Sequence, residues 1–89
     1  MRLIPRLKKA EVVHDYVVRL VYADGLVADV DLSYLVARGP IFQPLSDPDF
    51  FRRLRASPEA NTVVWPNGAD VAPETLYAAA QEAVGSAAR

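Results

Sequence analysis

The chain carries few side chains that could do covalent or acid–base chemistry. His14 is the only histidine, and none of the 89 residues is cysteine. A serine–histidine–acid triad would have to be built on His14, yet no serine stands in a strand-to-helix nucleophile motif. The lack of cysteine excludes disulfides, thiolate nucleophiles and Cys-ligated zinc or iron–sulfur sites. We therefore expect no enzymatic activity and no cofactor.

Carboxylates are the remaining metal ligands. Asp29 and Asp31 lie two residues apart in a predicted strand, so they share one face of it. Two carboxylates on one exposed face are usually just solvated, and a divalent cation takes more oxygen ligands than this pair supplies. The four glycines form no phosphate-binding loop. We expect no metal site.

Basic residues fall into two groups, although the formal net charge is only −1. So small a net charge gives no overall field that would drive the protein onto nucleic acid or a membrane. Each group is either a solvated surface or a patch for an anion or an acidic partner. The groups are Arg2, Arg6, Lys8 and Lys9 near the start, and Arg52, Arg53 and Arg55 in the middle.

Residues 61–77 contain more turn, strand and helix-start signals than any other stretch of this length. These signals are a β-rich run, the only tryptophan, a Pro-Asn-Gly turn and a proline-led helix start. Trp65 either closes the core or is an exposed recognition aromatic. Asn67 and Asp70 either shape the turn through local hydrogen bonds or meet a partner together with Trp65. The candidate partner-binding residues are Trp65, Asn67, Asp70, Arg52 and Arg55.

Three strands are predicted in the first third of the chain. Residues 8–13 form a first strand, and the β-branched and aromatic run YVVRLVY at residues 16–22 forms the second. An Asp-Gly pair then marks a hairpin turn, and LVADVDL at residues 26–32 returns as the third strand.

The side chains select the register of this hairpin. A two-residue loop would set Leu20 opposite Asp29 and place carboxylates against the apolar face. A three-residue loop instead pairs Leu20 with Ala28 and sets Arg19 against Asp29, a favourable cross-strand charge pair. Gly25 would then take the left-handed position. A longer loop of the same parity would give the same alternation and is an open alternative. The predicted buried face comprises Val18, Leu20, Tyr22, Ala28, Val30 and Leu32.

The rest of the chain predicts two or three short helices and one more strand. Residues 32–36 form a helical turn, and Asp47 caps a helix that begins at Pro48 and carries the Arg52–Arg53–Arg55 group near its end. Residues 61–65 return to β character. A last helix covers about residues 73–84, and Gly85 caps it, so that residues 86–89 fray.

These elements predict one α+β domain over residues 1–89, with a small antiparallel sheet built on the β-hairpin. No apolar run approaches the roughly 20 residues needed to span a bilayer. The N-terminus lacks a long apolar region, so we expect no signal peptide. We expect a soluble, cytoplasmic protein.

The motifs closely resemble the small bacterial domain-of-unknown-function family 2442. The residues that carry the likeness are YADG at 22–25, DLS at 31–33, GPIFQPL at 39–45, DP at 47–48 and TVVWPNGADVAPETLY at 62–77. The likeness covers about residues 6–77, and the Trp-Pro-Asn-Gly-Ala-Asp block is specific. The resemblance implies a compact α+β fold and no established enzyme activity, cofactor or catalytic residue.

The resemblance also implies a protein partner. Members of the family are often encoded beside another small protein, and some are described as antitoxin-like. Some relatives carry an added helix-turn-helix domain, which we do not expect in this chain. We therefore expect a non-enzymatic protein-interaction domain, the antitoxin-like half of a two-gene pair. The alternatives are a nucleic-acid-associated module that uses the basic residues and a small-ligand domain with Trp65 at its pocket.

Overall fold

The computed structural model describes residues 3–87 as an α+β fold, as predicted. Three strands come first, followed by two 3-10 helices, a one-turn α-helix, two short strands and a long final helix. In chain order the elements are β1 (Leu7–His14), β2 (Val17–Tyr22), β3 (Val27–Asp31), η1 (Ser33–Ala37), η2 (Pro40–Ser46), α1 (Pro48–Phe51), β4 (Arg55–Ser57), β5 (Thr62–Val64) and α2 (Pro73–Ala87).

The strands form two antiparallel sheets rather than one. The larger sheet has the order β1-β2-β3, and the smaller one pairs β4 with β5. Asn61 joins the two, since its Oδ1 accepts a hydrogen bond from the Leu7 N–H (2.7 Å) and its Nδ2 donates to the Pro5 carbonyl (3.1 Å).

The hairpin has the predicted register. Leu20 lies opposite Ala28 and Arg19 opposite Asp29, and Gly25 has a φ of +93°. The Arg19 guanidinium donates two hydrogen bonds to the Asp29 carboxylate, at 2.8 and 3.1 Å. All six predicted face residues are buried: Val18, Leu20, Tyr22, Ala28, Val30 and Leu32.

The core lies between this buried face and the helical segments. Helix α2 packs along β3 and buries Leu76 and Ala80 completely. Aromatic rings continue the core toward the smaller sheet. The Phe51 ring lies edge-on to Tyr16 (4.6 Å between centroids) and 5.7 Å from the Trp65 ring.

The predicted helix after Asp47 is much shorter than expected. Asp47 caps it as predicted, because its Oδ1 accepts from the Asp49 N–H at 3.0 Å. The helix ends at Phe51, however, so placing Arg55 late in a helix was wrong: Arg55 begins strand β4. Pairing of β4 with β5 and a hydrogen bond from the indole of Trp65 to the Phe51 carbonyl (3.0 Å) stabilise the turn instead.

The last helix is longer than expected. It runs to Ala87, so Gly85 lies inside it and is not its cap. Gly85 is not among the residues with positive φ, which a left-handed cap requires. Of the predicted frayed tail, residues 86 and 87 are helical, whereas residues 88 and 89, like Arg2 of the basic N-terminus, lie outside the described residues.

Within residues 3–87, none of the helices combines the length and the apolar character that crossing a membrane would require.

Candidate functional site

Trp65 is part of the core and offers no exposed ring to a partner in this fold. Its side chain is only 3% exposed. The indole Nε1 donates to the carbonyl of Phe51, so the polar end of the ring is satisfied inside the protein, as buried tryptophans usually are. Of the two roles open to Trp65, the structure shows the one in the core.

Asn67 shapes the turn that follows. Its Oδ1 accepts from the Ala69 N–H (3.1 Å), while the Trp65 N–H donates to the Ala69 carbonyl (2.9 Å) and closes the loop. Gly68, at φ +89°, supplies the left-handed turn position. The Nδ2 of Asn67 donates to the Ile41 carbonyl (2.9 Å). One exposed amide therefore holds the turn and ties it to η2.

Asp70 and Arg55 come together on one exposed surface. Val64 pairs with Arg55 on β4 and forms an isolated bridge with Asp70 on its other side. Paired residues of neighbouring strands point to the same face, so the side chains of Arg55, Val64 and Asp70 form a row. Arg55 and Asp70 are exposed.

The remaining basic candidates lie apart from this row. Arg52 is in the turn after α1, and its Nη1 donates to Asp49 at 3.2 Å. Among the described residues, neither Arg53 nor Arg55 forms an ion pair. The structure therefore joins Arg55 to Asp70 but leaves Arg52 on a different segment.

A cleft of about 270 Å³ lies between η1, η2 and the start of α2, and the sequence motifs did not reveal it. Its floor is apolar, and its rim carries one basic and one acidic residue, Arg38 and Asp70. The Arg38 guanidinium stacks over the Tyr34 ring, 5.3 Å from its centroid. The lining residues are Tyr34, Leu35, Arg38, Phe42, Asp70, Val71, Ala72 and Thr75.

Tyr34 is a large side chain of this lining that is nevertheless 40% exposed. Ile41, which is 48% exposed, precedes the lining residue Phe42 in η2 but does not itself line the cleft. Tyr34 lies in the 3-10 helix η1 and Arg38 follows its last residue, so their proximity is a local contact within one short segment. That Asp70, 32 residues after Arg38, lines the same cleft was not visible in the sequence, because it depends on how the loop after β5 packs against η1 and η2.

No group of three or more His, Asp and Glu side chains that could hold a metal ion occurs within residues 3–87. His14 lies at the end of β1, where its Nδ1 is 3.2 Å from the Asp15 carboxylate and both groups are exposed. The described part of the chain is thus a small α+β domain with an amphipathic cleft.

A model of a known protein family matches most of the chain. A family model described as protein of unknown function (DUF2442) matches residues 7–82, and the chain belongs to that family. The match confirms the resemblance found in the sequence and extends five residues beyond its predicted end, into the middle of α2.

One solved structure is similar to this fold. It is that of NE0471 from Nitrosomonas europaea ATCC 19718, named as a candidate DNA-binding protein. The TM-score is 0.80 at 26% sequence identity, and the match covers 96% of this chain but 56% of that one. The present chain therefore spans just over half of that protein's length. No curated protein matches the chain.

Proposed function

We propose that this domain is a non-enzymatic protein-interaction module and that its partner binds over the cleft beside Tyr34. The observation that carries the proposal is the exposed Tyr34–Arg38 stack, which lies in a cleft with an apolar floor that Asp70 also lines. Tyrosine and arginine are enriched among residues that dominate binding energy at protein interfaces. A stacked pair is also partly ordered before binding, which lowers the entropy that association costs.

The surface around the cleft supports a protein rather than a small molecule as partner. Tyr34 leaves 40% of its surface exposed beside an apolar floor, and Arg38 and Asp70 offer opposite charges at the rim. An apolar centre with a charged border is the usual anatomy of an interface. In this proposal Asp70 and Asn67 border the contact, Arg55 contributes charge from the face that it shares with Asp70, and Trp65 supports the surface from within the core, whereas Arg52 lies outside the contact.

The family suggests the kind of partner. We propose that it is a small cytoplasmic protein encoded beside this one, with the present chain acting as the antitoxin-like half of the pair. Support comes from the family assignment and from the gene neighbourhood that the resemblance implies, which is an inference by analogy.

The test is co-expression with the product of the neighbouring gene, followed by titration of the purified pair. Tyr34→Ala and Arg38→Ala should each weaken binding at least tenfold, about 1.4 kcal/mol, while the urea midpoint stays unchanged. Arg53→Ala is the matched control, because it removes an arginine from a segment that does not line the cleft. Equal affinity of all three variants would show that the partner binds elsewhere, and no binding by the unaltered chain would reject this partner.

A second candidate function is association with nucleic acid. The exposed side chains of Arg52, Arg53 and Arg55 lie close together in sequence, and the similar solved structure is named as a candidate DNA-binding protein. Nearly half of that protein has no counterpart in this chain, however, and the net charge here is −1. Binding to a DNA duplex that falls steeply with salt and is lost when the three arginines are replaced by glutamine would favour this function.

A further inference from the structure

Strand β3 has an open edge. The hairpin ladder fixes which of its backbone groups face outward, because the Tyr22 N–H donates to the Leu26 carbonyl and the Leu32 N–H donates to the Tyr16 carbonyl. In an antiparallel pair such bonds recur at every second residue, so the N–H and C=O groups of Val27, Asp29 and Asp31 point away from β2. No strand pairs with this side of β3 within residues 3–87.

Helix α2 forms a wall beside this edge and leaves a groove between them. The groove has two adjoining sections of about 420 and 340 Å³, which share Asp29 and Ala83. Four residues line it from the helix, Ala79, Glu82, Ala83 and Val84. Ala79, Glu82 and Ala83 have the spacing that places them on one face, and two of these four side chains are methyl groups, which leaves room for a neighbouring backbone to approach β3.

The groove is acidic. Asp29, Asp31 and Glu82 line it, and the only basic side chain in either section is Arg19, which is already paired with Asp29. The Arg19 hydrogen bond lowers the pKa of Asp29, and the Ser33 backbone N–H lowers that of Asp31. Both carboxylates are therefore ionised at neutral pH.

Exposed apolar side chains mark both ends of the groove. Val27 and Val84, 51% and 37% exposed, lie in its first section, and Tyr34 lies in the second. Tyr34 also lines the cleft described above, so groove and cleft meet at this residue. An extended segment in the groove would have apolar contacts at each end and carboxylates between them.

A second copy of this chain would pair poorly with the open edge of β3. Antiparallel pairing of β3 with its own copy would bring Asp29 and Asp31 close to the same carboxylates of the copy, and like charges on facing strands destabilise a sheet. Such charges on an edge strand commonly prevent self-association. A strand with basic side chains would instead gain from them.

We propose that the groove binds an extended, lysine- or arginine-bearing segment of a partner protein, which adds to β3 as a fourth strand of the larger sheet. Strand addition supplies main-chain hydrogen bonds, and alternate side chains supply specificity. The proposal rests on the interaction role proposed above, but it assigns a different surface and the chemistry of the segment that fills it.

The probe is an acetylated, amidated peptide of sequence Lys-Val-Lys-Val-Lys-Val, added to ¹⁵N-labelled protein. The backbone amides of Val27, Asp29 and Asp31 should shift and become protected from hydrogen exchange, whereas those of Ala28 and Val30 should change little because they already bond to β2. The corresponding Glu-Val peptide should bind at least tenfold more weakly. A Lys-Val peptide with N-methyl groups at alternate residues should also bind at least tenfold more weakly, because it keeps the positive charge but loses the backbone N–H groups that would donate to β3.

Two variants of α2 test the site. Glu82→Lys should weaken binding of the Lys-Val peptide at least tenfold, whereas Glu74→Lys makes the same charge change on the same helix outside the groove and should change it less than twofold. The proposal is overturned if both variants behave alike, if the N-methylated peptide binds equally well, or if the outward amides are already protected in a dimer of the free protein. Loss of partner binding in Tyr34→Ala but not in Glu82→Lys would reject the groove and keep the cleft.

Discussion

In the corner formed by residues 61–70, the side chains of Asn61, Thr62, Trp65 and Asn67 are hydrogen-bonded within the chain, whereas the outward backbone groups of β3 face solvent. In the corner, Thr62 Oγ1 donates to the Val71 carbonyl (2.6 Å), the Trp65 indole to Phe51, and the Asn67 amide to Ile41. Along β3, the outward backbone groups and the acidic side chains have room for another molecule. The most distinctive stretch of sequence therefore builds the fold, and less distinctive residues form the surfaces available to a partner.

The largest effect expected from this difference comes from tryptophan. Trp65→Ala should lower the free energy of unfolding by about 3–5 kcal/mol, because it removes a large buried ring and leaves a cavity. Tyr34→Ala, which trims a ring that is 40% exposed, should cost much less. Urea unfolding followed by circular dichroism measures both. Equal losses of unfolding free energy in the two variants would contradict the view that the corner supports the fold while the cleft is a surface feature.

Asn61 should have the next largest effect, because it ties the corner to β1. Its φ is +56°, and Asn61→Ala would lose the bonds to Leu7 and Pro5 while keeping that unfavourable backbone conformation. We expect a loss of about 2–3 kcal/mol in stability. Asn61→Gly should lose about 1 kcal/mol less, since glycine relieves the backbone term. If the two variants unfold at the same urea concentration, the backbone conformation contributes nothing measurable.

Tyr22, the last residue of β2, tests how burial affects a polar group on the inner face of the hairpin. Its hydroxyl is buried and has no hydrogen-bond partner within the described residues, so Tyr22→Phe should raise stability by about 1 kcal/mol at neutral pH. Burial, with smaller contributions from Tyr77 and Asp24, raises the pKa of Tyr22 to about 12, against about 10 in the unfolded chain.

The sign of the pH dependence follows from that shift. Folding favours the neutral phenol, so this contribution is complete below about pH 10 and is lost as pH rises toward 12. The unaltered protein should therefore lose stability over this interval more steeply than Tyr22→Phe. Thermal unfolding of both proteins between pH 9 and 12 measures the difference. Parallel curves would mean that Tyr22 ionises as easily in the folded state as in the unfolded one.

The smallest effects concern the two polar residues at the corner. Asn67→Ala removes one exposed and one partly buried hydrogen bond and should cost about 0.5–1.5 kcal/mol. Asp70→Ala should change stability by less than about 0.5 kcal/mol, as is usual for exposed positions, and should instead weaken partner binding. Unfolding curves and partner titrations of each variant separate the two roles. A destabilised Asp70→Ala protein with normal affinity would assign Asp70 to the architecture.

Local patterns predicted the hairpin well. The alternation of residues 16–22 and 26–32 has one parity that buries Val18, Leu20, Tyr22, Ala28, Val30 and Leu32 together and sets Arg19 against Asp29, so an odd loop length followed from the side chains. The cap at Asp47 and the left-handed Gly25 were predicted for the same reason, because each depends on a few neighbouring residues.

Sequence patterns gave wrong predictions where segments that are distant along the chain form hydrogen bonds with the backbone in question. Residues 52–55 continue an apparently helical pattern, but strand β5 and the indole of Trp65 bond to this segment and its neighbours, so the helix stops at Phe51. The sequence likewise gave no sign of a second sheet, since its two strands are three residues each and have too little periodicity to indicate a partner.

The family, the fold class, the hairpin register and the lack of thiol chemistry follow from the amino-acid sequence, because these depend on composition and on contacts between near neighbours. The burial of Trp65, the cleft that Asp70 and Arg38 both line, and the course of α2 beside the open edge of β3 became known only from the three-dimensional structure. Those arrangements join residues that are 14 to more than 50 positions apart along the chain. Their apposition depends on how whole elements pack, which no local pattern of residues specifies.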